Sequence, residues 1–595
     1  MLFRSTGVIS GNGRLDKNGS GTLVLVATNT FSGGTYLNAG TLSFGDDDAL
    51  GVGDLTFTAS AALQSTANLR ITNRMIFNTG VTGTFDYGTN TMTNAGVISG
   101  AGSFIKTGNG SLSLTASNTF TGTMQINEGK VDFGTNGRVT PSTIFLGYNT
   151  NDRGIMTVRD GNTLTVSSSK GVVIGYNGAG AVYQSGGTIS VTGGTAWDNF
   201  VLGHNSGSYG YYNLSGGNVI LKEVGVGSDG GDNVQSGTGM LDVTGGSLTA
   251  NDYFFLTRGN ANQKAVMNIT GGAVYGSDMN LVMDPGFSFK NSNGKFSVAT
   301  VSSNGLFSFK NNGFDMNRQG TGNVGVINLN NGGVMESRMI YASTAGSSTY
   351  LNFNGGVIKS TVGGSNIVSG LTRATVNSGG AIFDSAGYDV NMSQALQDAT
   401  GKGVVSIAVV DGGDGYIGPP VVQISGGGGT GATARAIVDP GTGKVTAIEI
   451  TNPGWGYTNT PTVTLSQGGS TRTAVLGTPA IADNAAGGLV KQGVGTLTLN
   501  GLSTYTGGTV VNNGVLQVGG GATGGIGNII GTVTVNSGAS LKSVSGWGLG
   551  WNASNSVSKI VLNGGSLDFS GSVAGQNGLS AAEVIMDAGN IVGSA

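Results

Sequence analysis

Gly487-Gly488-Leu489-Val490-Lys491-Gln492-Gly493-Val494-Gly495-Thr496-Leu497-Thr498-Leu499 decides the fold. Apolar and polar residues alternate at period two on both sides of a glycine-rich corner, as two half-buried strands joined by a turn require. The unit recurs. Gly495-Thr496-Leu497-Thr498-Leu499 falls on Gly21-Thr22-Leu23-Val24-Leu25, and Thr504-Tyr505-Thr506-Gly507-Gly508-Thr509 falls on Thr30-Phe31-Ser32-Gly33-Gly34-Thr35, a shift of 474 residues (495 − 21). Gly7-Val8-Ile9-Ser10-Gly11-Asn12-Gly13 returns as Gly96-Val97-Ile98-Ser99-Gly100-Ala101-Gly102, a shift of 89 residues (96 − 7) that also carries Lys17 onto Lys106 and Asn29-Thr30-Phe31 onto Asn118-Thr119-Phe120.

A shorter repeat runs between these copies, in which an alternating strand ends in a Gly-Gly pair. Tyr211-Tyr212-Asn213-Leu214-Ser215-Gly216-Gly217 and Met240-Leu241-Asp242-Val243-Thr244-Gly245-Gly246 are two of its copies. From Gly186 the pairs advance by 30, 29 and 26 residues (216 − 186, 245 − 216, 271 − 245). A segment of this size cannot bury its apolar face alone, but stacked copies build a continuous narrow core.

Composition agrees. Of 595 residues 113 are Gly and 8 are Pro, without the three-residue period of collagen, and charged residues make up 10 %, so the chain reads as strands and tight turns. A net charge of −3 gives no footprint for nucleic acid or an anionic membrane surface. The absence of Cys excludes disulfides and thiolate sites, and a single His, His204, excludes two-histidine zinc motifs. No apolar run is long enough for a membrane helix, so membrane insertion by this chain is not expected, and no cofactor is expected either.

Residues 487–518, with the copies from Lys17 to Phe44 and from Lys106 to Phe133, closely resemble the passenger-associated β-strand repeat of bacterial autotransporters. The second copy departs from that pattern at Thr123, where the family has a glycine. The resemblance implies an all-β, right-handed parallel β-helix (a β-solenoid), secreted and displayed at a bacterial cell surface. That family is exported through a C-terminal outer-membrane barrel, and no terminal series of membrane strands precedes Gly593-Ser594-Ala595. The expectation is a piece of a longer passenger, or a subunit that stacks end to end with itself into an extracellular filament.

One segment breaks the pattern. Gly413-Asp414-Gly415-Tyr416, with Pro420 and Val422, returns 41 residues on (454 − 413) as Gly454-Trp455-Gly456-Tyr457, with Pro461 and Val463, and a run from Gly426 to Gly431 lies between them. The units resemble a Gly-Tyr-Pro repeat of phage tail and surface proteins. They predict a small β module at residues 403–467 inserted into a β-helix that spans 1–400 and 481–595.

Candidate sites are few. Gly519-Gly520-Gly521-Ala522-Thr523-Gly524 fits a dinucleotide-binding pattern, but at this glycine content the pattern arises by chance about four times, and no helix follows. Asp46-Asp47-Asp48 and Asp229-Gly230-Gly231-Asp232-Asn233 supply oxygens suited to calcium without EF-hand spacing, and read as solvated loops. His204 stands at a corner with no nucleophile in its stretch. Tyr209, Tyr211 and Tyr212, then Tyr253, Phe254 and Phe255, suggest an aromatic column that is core if it points inward and a platform for sugars or another subunit if it points outward. Insertions map to exposed faces of solenoids, so contacts with host or cell-surface glycans or proteins are expected on the module, with Tyr416, Trp455 and Tyr457 as candidate contact residues; the other reading, and the one favoured for these three, is that they pack the module's own core. An extracellular structural or adhesive protein without enzymatic activity is the reading favoured. The alternative is a β-helical polysaccharide lyase or tailspike-like depolymerase, whose paired carboxylates would converge from neighbouring coils.

Overall fold

The computed structural model describes residues 2–168, 170–193, 199–227, 237–258, 262–276, 281–282, 295–318, 320–519, 526–545, 547–551, 556–571 and 582–593. These contain strands and turns and no helix. They fall into two compact units, Met1–Ala250 with Gln467–Ser470, and Asn251–Ser466 with Thr471–Ala595. Outside residues 402–483 the ladders between strands among the described residues are parallel, so each unit is built as a parallel β-helix.

The stacking is residue on like residue. In the first unit one column runs Leu42, Leu63, Phe85, Lys106, Ile126, Leu146, Ile174, Leu202. All of these side chains are buried. Period-two alternation aims every second residue of each strand into this interior, and in-register pairing repeats the choice on every coil. Beside it Phe57, Phe77, Phe85, Phe104 and Phe120 pack ring against ring at centroid distances of 4.8–6.1 Å. A narrow core with little volume per coil gains most from large, stiff side chains that touch the coils above and below.

In the second unit the inner column runs Val274, Phe307, Met335, Ile358, Phe383, Lys491, Val511, Val535, Leu562. Phe383 and Lys491 are neighbours across the insertion, so the ladder continues as if the residues between them were absent. On the outer face the matching column is Ser308, Glu336, Lys359, Asp384. Here charges alternate in sign: Ser308 Oγ donates to Glu336 at 2.9 Å and Lys359 Nζ at 3.0 Å. Like charges at one strand spacing would repel, so a charged column is tolerated only in this order.

The inserted module is antiparallel. Lys402–Ser406 pairs with Ala480–Asp483, Val409–Asp411 with Val475–Leu476, Val421–Ser425 with Thr462–Ser466, and Thr433–Asp439 with Lys444–Asn452. It therefore runs from Lys402 to Asp483, wider than the expected 403–467, and parallel coils resume at Leu489–Gln492. Its outermost strands lack the Gly-Tyr-Pro signature, which is why their membership did not show in the sequence.

Candidate binding site

The unit at residues 487–518 and its two copies hold one recurring device. Lys17, Lys106 and Lys491 occupy inward, apolar positions of their strands and are buried. Each stem fills core space, and each ammonium ends at a corner. Lys106 Nζ donates to the carbonyls of Thr107 and Gly108 at 2.7 and 2.6 Å and of Glu128, one coil on, at 3.3 Å. Lys491 Nζ does the same with Gln492, Gly493 and Asn513 at 3.0, 2.7 and 3.0 Å, and Lys17 Nζ with Asn18, Gly19 and Ala39 at 3.2, 2.7 and 2.9 Å. Three protons meet three carbonyls, and the bond to the next coil clips two coils together. The residue after each cross-coil acceptor is Gly40, Gly129 or Gly514, at φ of 70°, 71° and 66°. A Cβ at Gly514 would stand 2.4 Å from the Gly495 carbonyl and 3.0 Å from the ammonium, so the clip requires glycine there. Burial lowers the pKa of Lys106 and Lys491 to about 8, against the opposing pull of nearby carboxylates. Asn29 and Asn118 brace the same repeats by accepting the N–H groups of Ile9 and Ile98 at 2.8 Å, and Ser503 replaces them in the third copy by accepting from Leu396.

The tyrosine cluster divides. Tyr209, Tyr211 and Tyr212 are buried, as are Phe254 and Phe255, whereas Tyr253 is half-buried. A half-exposed ladder lies elsewhere. Gly147-Tyr148-Asn149, Gly175-Tyr176-Asn177 and Gly203-His204-Asn205 repeat every 28 residues (175 − 147, 203 − 175), and sequence reading passed over that spacing. Tyr148 and Tyr176 stack at 5.0 Å, His204 caps them at 4.9 Å, and Asn205 Nδ2 donates to Asn177 Oδ1 at 2.7 Å. The tyrosines lie face on face, so the ladder staples coils and leaves little ring face for a sugar. Asp46 Oδ1 accepts from Thr28 Oγ1 and from the Asp48 N–H, and Asp47 Oδ1 accepts from the Arg70 N–H, so these carboxylates brace their turn and tie it to the neighbouring coils. Asp229–Asn233 and Gly520–Gly524 lie outside the described residues.

The module does not stand away from the coils that carry it. Asn328, in the polar column Thr300, Asn328, Asn352, donates from Nδ2 to Thr433 Oγ1 at 2.8 Å and accepts from Asn352 Nδ2 at 2.9 Å. Asn330 Nδ2 donates to the Thr451 carbonyl and Asn377 Nδ2 to Asn452 Oδ1, at 2.9 and 3.0 Å. The Thr433–Asp439/Lys444–Asn452 hairpin is thus moored on coil strand Val324–Asn330 and on Asn377, the residue that follows Arg373–Val376.

The three candidate contact residues fall inside this arrangement. Tyr416 and Tyr457 are each 3 % exposed and fill separate module cores, the first with Val422, Ala436 and Val445, the second with Val404, Ile407 and Ala432. The Tyr416 hydroxyl accepts the Ala474 N–H at 2.9 Å. Trp455 is half-buried, with Arg373 above its ring at 4.6 Å and Tyr350 edge-on at 5.3 Å. The glycine run explains itself here: a Cβ at Gly429 would stand 2.4 Å from the Tyr457 ring, and one at Gly431 2.3 Å from the Trp455 ring, so the loop lies flat on both aromatics. On the module's opposite repeat Arg472 bonds both Asp411, at 2.5 and 3.0 Å, and Asp414, at 2.8 Å, which holds the Asp411 carboxyl at about 2.

Between module and coils opens a cleft of about 350 Å³. The coil strands contribute Phe296, Val324, Val326, Ser348 and Tyr350, and the module faces them with Gln423, Ile424, Ser425, Thr433 and Thr464 and the loop Thr430–Ala432. Trp455 backs it through Tyr350 and Gly431.

Comparison with known proteins agrees with this architecture. Residues 15–44, 104–132 and 489–518 match the passenger-associated-transport-repeat family, and these are the three segments that carry the lysine clips. Over 95 residues the chain is 41 % identical to the Adhesin BmaC autotransporter of Brucella suis biovar 1 (strain 1330), a stretch that covers 16 % of this chain and 3 % of that protein. No solved structure matches the chain. The chain thus carries three passenger-associated-transport repeats on a parallel β-helix, and over part of its length it is similar to an autotransporter adhesin.

Proposed function

We propose that the chain is a surface-displayed passenger of a bacterial autotransporter-like system, a rigid parallel β-helix that presents its inserted module for adhesive contact. The observation that supports this most is the coincidence of the three transport repeats with the clipped coils, together with the partial likeness to a protein named as an adhesin. A β-helix whose coils are fastened by carbonyl-bound lysines and stacked rings suits presentation at a distance, since each coil adds length without a larger core. Binding partners are expected among glycans or proteins of a host or neighbouring cell, met at the module. The likeness to a protein named as an adhesin and the passenger-type repeats favour a non-enzymatic role over polysaccharide cleavage. Antibodies raised against the purified chain test the reading: labelling of intact, unpermeabilised cells of the producing bacterium is expected. Labelling only after permeabilisation would reject it.

A further inference from the structure

The cleft under the module has a chemistry that singles out a ligand class, and naming that class deepens the passenger reading, on which it rests for access to cell-surface sugars. No Asp, Glu, Lys or Arg lines it. An ionic ligand would therefore leave its charge without a partner after losing water, at a cost the cleft does not offset. Five polar side chains line the cleft from both sides without a hydrogen bond to the protein: Ser425, Thr430 and Thr464 are exposed and Ser348 and Gln423 half-buried, so they are solvated and a ligand that displaces their water must return the same bonds, whereas the hydroxyl of Thr433, deeper in, is committed to Thr451 and Asn328. Hydroxyls and a carboxamide both donate and accept, so the free groups suit a partner that does likewise at several points. Between them lie Phe296, Val324, Ile424 and the Tyr350 ring, an apolar strip flanked by polar groups on two sides.

We infer that this cleft binds an uncharged saccharide of one or two rings, its C–H face on the Val324–Tyr350 side and its hydroxyls toward Gln423, Ser425, Thr430 and Thr464. A volume of about 350 Å³ sits at the small end of the range for small-ligand pockets, roughly 300–1,000 Å³, which suits one to two sugar rings. Coil strands and module each contribute part of the lining. The mooring through Asn328, Asn330 and Asn377 preorganises it, so little ordering is left for binding to drive.

Maltose, cellobiose, lactose and N,N′-diacetylchitobiose, titrated against the full chain, test the inference by saturation-transfer NMR and calorimetry. Saturable binding of at least one is expected, weakened tenfold or more in the double variant Gln423→Ala/Thr464→Val and abolished when Ser348→Phe fills the cleft. Both variants should unfold at the wild-type temperature, because the altered side chains bond nothing within the protein. Absence of saturable binding by all four sugars would overturn the inference, as would binding unchanged in both variants. Digalacturonate binding as tightly as the neutral sugars would overturn the argument from charge. The passenger reading fails independently: cells that label from outside while the chain binds none of these sugars would reject the cleft proposal alone.

Discussion

Replacing Lys491 by Met keeps the length and apolar stem of the side chain and removes the ammonium. Three carbonyls, of Gln492, Gly493 and Asn513, lose a charged donor at 2.7–3.0 Å. Such bonds contribute about 1.5–3 kcal/mol each. Against them stands the desolvation that lowers the lysine from 10.5 to about 8, equivalent to roughly 3 kcal/mol returned when the charge is deleted. The bonds win, and a net loss of about 1.5–6 kcal/mol follows, confined to the clipped coils because a solenoid's stability is a sum of neighbour terms. Hydrogen exchange by mass spectrometry reads it directly. Amides of Leu489–Gln492 and Gly514–Val518 should exchange on the order of 10- to 10,000-fold faster, while strands of the first unit are unchanged and the exposed control Lys170→Met shows nothing. Unchanged protection at Gly514–Val518 would refute the reasoning, for it would mean that water, not the ammonium, satisfies those carbonyls.

The same lysines set a pH dependence. Their native pKa of about 8 lies below the unfolded value of 10.5, so the unfolded chain binds more protons in that interval. Stability should rise with pH from about 8 and lose this contribution below it, until buried phenols such as Tyr87 and Tyr505, whose ionisation burial pushes up, oppose the trend above about 10. Urea midpoints from pH 7 to 9.5 check the sign, and a fall across that range would contradict it. Gly514→Ala forces a side chain to φ 66° and into the Gly495 carbonyl, and should cost about 1–3 kcal/mol in the same amides that Lys491→Met loosens, without adding fully to that variant. Asn328→Ala deletes the amide that joins Thr433 to Asn352, and should cost about 1–3 kcal/mol of docking, seen as a red shift of Trp455 emission and faster exchange in Thr433–Asp439. An unshifted emission would mean that the module is moored elsewhere.

The parallel β-helix was legible because its period-two alternation and its glycine corners are local facts that recur in register. The clip was half legible: the shift that carries Lys17 onto Lys106 marks the position, but a lysine at an inward position looks like an interruption of the apolar column until the corner carbonyls are in view. The Tyr148–Tyr176–His204 ladder was written in plain spacing, and attention to the Gly-Gly pairs hid it. What the sequence could not disclose was the docking of the module. Asn328 and Thr433 are 105 residues apart and ordinary in composition, and only the folded register places one above the other. Tyr416 and Tyr457 could be read from the sequence either as contact residues or as packing of the module's own core, and each is the plug of a small core.

The continuity of the coil ladder past the module bears on the order in which the chain assembles. Ser385 bonds the carbonyl of Gly493, 108 residues later, a closure that would be slow if the intervening chain were loose. The module's first and last strands, Lys402–Ser406 and Ala480–Asp483, pair with each other. Once that hairpin-like base has formed, the span still to be closed shrinks to about 25 residues, the length of a common coil, and the closure entropy falls by about 1.3 kcal/mol. A chain emerging end first can thus fold the module as a private knot of contacts and resume winding at an ordinary pace, so the coils on either side are free to zip without waiting for a distant partner.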